Sequence, residues 1–129
     1  MKSITQTCVI SHPKKVVFEF LSDLENMPKW STQFVKSTKI VNGKKKAETP
    51  FGEVFIRIDS DYKSGIIDIF AGPQESKMNP AFMRVISFSD NSCGLTFTFF
   101  QWPETTEQIW EIFCDWIKIE VGNIEKIFS

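Results

Sequence analysis

The spacing of apolar residues along this chain passes from strand-like to helical, back to strand-like, and ends helical. Residues 3–10 (SITQTCVI) are dominated by Thr, Val and Ile and read as a strand. Ser11-His12-Pro13 then opens a helix, with Ser or His at the cap and Pro in the first turn, where its missing N–H costs nothing. Val16, Val17, Phe20, Leu21 and Leu24 follow at helical spacing. Ser22 and Asp23 can cap a second short helix that Pro28 restricts. From residue 32 the signals are those of strands. Residues 34–41 lead into Asn42-Gly43, a hairpin turn whose two residues tolerate positive φ. Strands are expected near 45–51, 53–60, 65–70, 81–89 and 94–101, separated by Gly52, Lys63-Ser64-Gly65, a loop at 72–80 and a turn at 90–92. Pro103 closes the last strand. Thr105 or Thr106 then caps a long helix to about residue 127, with Glu107 adding favourable charge in its first turn.

Strands joined by short turns pair antiparallel, so the order strand, two helices, six strands, long helix describes an α+β protein. The long helix needs an apolar surface to rest on, and only the sheet is large enough. Residues 1–129 are expected to form one domain, the length being ordinary for one.

Placing Ile109 at zero and advancing about 100° per residue puts Ile127 at about 0°, Phe113 at about 40°, Ile124 at about 60°, Ile117 at about 80° and Trp116 at about 340°. The opposite side carries Glu111, Asp115, Lys118 and Gly122. Glu120, at about 20°, breaks the apolar stripe at its centre. Its neighbours one turn away are Trp116, Ile117, Asn123 and Ile124, so no local cation balances it. Buried alone, its carboxylate would be costly and its pKa raised. Two readings stand: a sheet arginine or solvent satisfies it, or it anchors a ligand in an apolar cavity.

Composition sharpens this picture at one point. The chain holds 13 Phe and 4 Trp against a single Tyr, an aromatic load that must fill a core, line a cavity or form an interface. Charge adds little: 15 basic against 16 acidic residues give no field that would draw nucleic acid or an anionic membrane. Lys44-Lys45-Lys46 is read as a solvated hairpin tip. The opening Met-Lys-Ser-Ile-Thr-Gln-Thr lacks an export-type apolar stretch, and no run approaches about 18 apolar residues, so a cytoplasmic protein without stable membrane insertion is expected. Three widely spaced cysteines, Cys8, Cys93 and Cys114, suit reduced small side chains better than a disulfide frame.

The run ISHPKKVVFEFLSDLENMPKW, followed later by FMRVISFSDNSCGLTFTFF and TEQIWEIFCDWIKIEVGNIEKIF, resembles the START-like (SRPBCC) superfamily, and within it the bacterial polyketide cyclase/dehydrase-like branch. The likeness spans nearly the whole chain and lies in the order of elements more than in any one motif. It implies a helix-grip fold, in which a curved antiparallel sheet of about seven strands wraps around the C-terminal helix and encloses a cavity for a hydrophobic ligand. The superfamily includes lipid carriers, ligand sensors, aromatic cyclases and co-chaperone-like domains, so the fold alone leaves function open.

On that fold, Phe97 and Phe99 would face the closing helix together with Phe113, Trp116 and Ile117, either filling a dry core or lining a hollow. Trp30 and Phe34 would lie near the cavity entrance, although Trp30 also suits simple packing of the short helix. Val54, Ile56 and Ile58 share one face of their strand, which sends Arg57 and Asp59 outward. Arg84 shares a face with Phe82, Ile86 and Phe88 and is the first choice as a partner for Glu120. Signals for catalysis are sparse. His12 is the sole histidine and sits at a helix start. No Cys spacing suits a metal, and there is no phosphate-binding glycine loop or GxSxG serine, so neither metal nor cofactor is expected. The favoured function is therefore non-catalytic binding of a hydrophobic or amphipathic small molecule, lipid or polyketide-like, by Trp30, Phe34, Arg84, Phe97, Phe99, Phe113, Trp116, Ile117 and Glu120. The alternatives are a cyclase/dehydrase-type enzyme using Glu120 as acid and base, and a co-chaperone-like module that binds a protein partner through an exposed apolar patch.

Overall fold

The computed structural model describes residues 1–129. Strand β1 (Ser3–Ile10) is followed by helix α1 (Lys14–Ser22), a turn of 3-10 helix (Leu24–Asn26) and the short helix α2 (Met27–Trp30). Six strands come next: β2 (Ser37–Val41), β3 (Lys44–Thr49), β4 (Gly52–Asp61), β5 (Ile66–Gln74), β6 (Lys77–Ser89) and β7 (Ser92–Phe100). Helix α3 (Glu107–Ile127) ends the chain. All seven strands form one antiparallel sheet in the order β1-β7-β6-β5-β4-β3-β2. The architecture is the expected α+β helix-grip arrangement.

Local chemistry explains most boundaries. Asn42 and Gly43 both have positive φ, 52° and 77°, as a tight hairpin turn between β2 and β3 requires. Pro13 directly precedes α1, while Asp23 caps the 3-10 turn by accepting from the Glu25 N–H at 3.0 Å. Thr106 is the residue that caps α3, its hydroxyl oxygen accepting from the Ile109 N–H at 3.2 Å.

The expected loop at 72–80 is instead the tip of a long hairpin. Strands β5 and β6 run on through Gln74 and Lys77, with a register shift between Ala71 and Gln74 that absorbs Gly72 and Pro73. Pro80 sits inside β6 opposite Phe70. Gly72 permits this close pairing, because a side chain there would place its first carbon 2.0 Å from the Lys77 carbonyl oxygen. Residues 34–36 also lie outside the expected strand, since β2 begins only at Ser37.

The helices cover one face of the sheet. Helix α3 lies chiefly over β1 and β7, α1 packs against β6, and α2 packs against α3. Their shared core holds Val17, Leu21, Trp30, Ile67, Met83 and Ile117, all fully buried. The inner faces of β4, β5 and the far end of β6 extend beyond the footprint of α3, and this overhang positions the site.

Candidate functional site

Helix α3 presents two adjoining faces. Trp110, Ile117, Val121 and Ile124 are buried and centre near about 90° on the scale set by Ile109. Ile109, Phe113, Trp116 and Glu120 centre near about 10° and line a cavity of about 720 Å³ between the helix and the overhanging strands. The cavity also takes in Val54 of β4, Ala71 of β5, Ala81 of β6 and both Phe97 and Phe99 of β7. Of its 24 lining residues, 14 are hydrophobic, a composition and size suited to a small apolar molecule. Met27, Ser31 and Glu120 are buried and mark the deep end. Pro73, Ser76, Lys77 and Glu104 are exposed and mark the mouth.

The wall is a chain of touching rings. Phe34 meets Trp116 at 6.3 Å between centroids, Trp116 meets Phe113 at 5.6 Å, Phe113 meets Phe99 at 6.3 Å and Phe99 meets Phe97 at 4.9 Å. Phe51, which the sequence did not single out, extends it by leaning on Phe113 and Trp116. Such tilted and edge-on contacts brace each ring on its neighbours.

Glu120 is only 2% exposed and has no arginine near it. Its Oε2 accepts three hydrogen bonds from the segment after α2: the Ser31 hydroxyl at 3.0 Å, the Gln33 N–H at 3.2 Å and the Phe34 N–H at 3.1 Å. One turn on, the Asn123 side-chain amide donates to the Trp30 carbonyl at 3.0 Å and the Thr32 hydroxyl at 2.9 Å. Together the two residues clamp residues 30–34 onto α3, and that clamp seats Phe34 in the cavity wall. Burial pushes the Glu120 carboxyl up to about 7, against the opposing pull of Ser31, the two backbone N–H groups and the more distant Lys36. Its other oxygen, Oε1, receives no hydrogen bond from the protein and is not sealed in the core, so it faces the cavity.

Of the residues expected to bind a ligand, Phe34, Phe97, Phe99, Phe113, Trp116 and Glu120 converge on this cavity. Three do not. Trp30 is fully buried and packs edge-on against Phe97 at 5.8 Å, so it packs the short helix into the core and does not stand at the cavity entrance. Ile117 is fully buried on the adjoining helix face. Arg84 lies on the opposite side of the sheet: Met83 and Val85 are the inward residues of β6, so alternation turns Arg84 outward. It cannot be the partner of Glu120. The partners found instead, Ser31 and two backbone amides, carry no residue-type signature, and only the polar run Ser31-Thr32-Gln33 hinted at donors there.

Other reactive groups stay apart. No three His, Cys, Asp or Glu side chains gather as a metal site requires. Burial raises the Cys8 thiol to about 11, which keeps it un-ionised. Lys44, Lys45 and Lys46 are each paired with a glutamate, Glu75, Glu25 and Glu53 respectively, which neutralises that hairpin. No helix is long and apolar enough to cross a membrane.

No family model and no curated protein matches the sequence. Solved structures do match the fold. XoxI from Bacillus cereus superposes with a TM-score of 0.74 at 14% identity, covering 99% of this chain and 96% of that one. The di-domain ARO/CYC BexL of the BE-7585A biosynthetic pathway gives 0.74 at 11% identity, covering 98% of this chain but 46% of the two-domain protein. A START superfamily protein from Mycobacterium smegmatis gives 0.65 at 10% identity, covering 98% and 96%. With seven antiparallel strands, a long closing helix and these counterparts, the chain has the START-like helix-grip fold.

Proposed function

We propose that this protein binds a hydrophobic or amphipathic small molecule in the cavity between the sheet and α3, without transforming it. The observation that carries this reading is the 720 Å³ hollow walled by Phe34, Phe97, Phe99, Phe113 and Trp116, with one buried carboxyl at its deep end. Apolar ligand area removed from water would contribute about 25 cal/mol per Å², less the cost of ordering the ligand. The START superfamily and ARO/CYC counterparts agree with a ligand-holding use of the fold. An apolar hollow of this size supports small-molecule binding over a protein-binding module, which would rely on an exposed apolar patch instead.

Native mass spectrometry of the purified protein is the direct test, supported by the fluorescence of the apolar dye Nile red. Ala81 lines the cavity, so Ala81→Phe should fill it and abolish the dye signal while the protein stays folded. Equal dye binding by wild type and Ala81→Phe would place binding elsewhere and end this reading.

A second reading, a cyclase/dehydrase-type enzyme, draws on one observation: a buried carboxyl near 7 is poised to give and take a proton at neutral pH. It needs a second group beside Glu120, and the polar side chain there is Ser31, already donating to Oε2. Turnover of a polyketide-like substrate that disappears in Glu120→Gln would favour it.

A further inference from the structure

The chemistry around Glu120 narrows what the cavity can hold. Three donors crowd Oε2 and none reaches Oε1, so the acceptor capacity left to this side chain is turned toward the ligand space. A bare carboxylate oxygen against aromatic rings is under-satisfied and invites a donor. The groups facing Glu120 offer none. Within α3 its neighbours are Trp116, Ile117, Asn123 and Ile124, and Asn123 is engaged by Trp30 and Thr32. The sheet residues that line the same cavity include Val54, Ile69, Ala71, Phe97 and Phe99, and the neutral polar one among them, Asn79, is engaged by Glu104. Only Lys36, an exposed residue beyond the clamped segment, acts on the carboxyl from a distance. The one cationic lining residue, Lys77, sits at the mouth. The deep end is therefore acidic, and the walls leading to it are rich in aromatic rings, whose faces attract a cation placed over them through their quadrupoles.

Building on the binding reading above, we infer that the cavity selects amphipathic amines, molecules whose buried end is an ammonium donating to Glu120 Oε1 while the apolar body lies along the aromatic wall. An ammonium supplies several N–H donors and a positive charge in one compact group, which answers both deficits at Oε1. A fatty acid of the same length would set carboxylate against carboxylate there. A neutral alcohol would supply one hydrogen bond and no charge. Because no other titratable group faces Oε1 closely, the ionisation of Glu120 should govern the pH dependence. Its carboxyl lies near 7, so amine affinity should climb from pH 6 to pH 8 as the carboxylate form fills. Alkylamines remain protonated throughout that range, having pKa values near about 10 like the lysine side chain.

The test is displacement of Nile red by decylamine, decan-1-ol and decanoic acid, which share one chain length and differ at one end. At pH 8 decylamine should bind about 10-fold more tightly than decan-1-ol, because the ammonium adds a charge and further donors where the hydroxyl makes one hydrogen bond. Decanoic acid should bind most weakly. The amine advantage should shrink toward pH 6, and decan-1-ol should show no such trend. Glu120→Gln should bring the amine-to-alcohol ratio to about one and flatten the pH profile, whereas Arg84→Ala, on the far face of the sheet, should preserve the ratio. Should Glu120→Gln fail to fold, the wild-type pH profile still decides. An amine that binds no better than the alcohol, or whose affinity is flat or falls with pH, overturns this inference and leaves cavity binding standing. Failure of all three compounds to displace the dye overturns the binding reading itself, and this inference with it.

Discussion

Where the helices meet the sheet, Val17, Leu21, Trp30, Ile117 and Ile124 are wholly buried, while a few ångströms away Phe34, Phe99, Phe113 and Trp116 remain partly accessible. Both regions are apolar and both use the inner face of the same sheet. They differ in what stands opposite. Helix α3 lies over β1 and β7, at one side of the strand order, and does not reach across to β4 and β5. One region is thus closed by helix against strand, and the other is closed only in part, by aromatic rings braced on one another. Hydrophobicity alone does not distinguish a core from a cavity; the reach of the covering element does. Glu120 stands on the border, one oxygen fastened to the packed side and the other turned to the open one.

Truncating each region should expose this difference most strongly. Ile117→Ala should destabilise the fold by about 2–5 kcal/mol, because it opens a void among side chains that cannot collapse into it. Phe113→Ala, although it removes more atoms, should cost less, since its ring already borders empty space. Urea denaturation of the two variants measures both effects. A larger loss for Phe113→Ala would mean that the cavity wall is part of the closed core and the distinction is false.

The border residue gives the next effect in size. Its folded pKa, about 7, lies above the ordinary glutamate value of 4.5, so the folded state holds this proton more tightly than the unfolded state. The stabilisation is present in full below pH 4.5 and is lost as pH rises through 7, amounting to at most about 3 kcal/mol. Unfolding free energy measured from pH 5 to pH 8 should therefore contain a descending component that Glu120→Gln removes. If the variant retains the same descent, the carboxyl ionises freely in the folded protein.

The smallest effect belongs to the outer face of the sheet. Arg84→Ala should change stability by no more than about 0.5 kcal/mol, as for an exposed side chain with no hydrogen bond or ion pair and only a longer-range attraction to Asp68. A larger loss would give the outer face an energetic role that its exposure does not suggest.

Elements with a periodic signature were legible in advance. The amphipathic pattern of α3, the cap before Ile109, the Asn42-Gly43 turn and the anomaly of Glu120 all follow from residue type and spacing. What escaped was information carried by backbone or by the far side of the sheet. Glu120 is held by N–H groups of Gln33 and Phe34, which every non-proline residue possesses, so no sequence pattern announces them. Arg84 was misdirected by Phe82, Ile86 and Phe88, which look like an inward row. In fact Phe88 lies over Gly94 on the exposed face, where a side chain in place of the glycine hydrogen would put its first carbon 2.5 Å from the ring. Trp30 had two readings, near the cavity entrance as the family resemblance implied or packing the short helix down, and the second holds. The core it enters exists only once α2 is clamped beneath α3.

The hairpin of β5 and β6 projects past the closing helix, and its tip forms part of the cavity mouth. Lengthening or trimming it by two residues on each strand preserves which side chains point inward, since the strand period is about two. Capacity can thus be tailored at the free end of this ribbon without disturbing any residue that welds helix to sheet. A lineage carrying such an extension gains freedom to reshape the hollow while its scaffold stays the same.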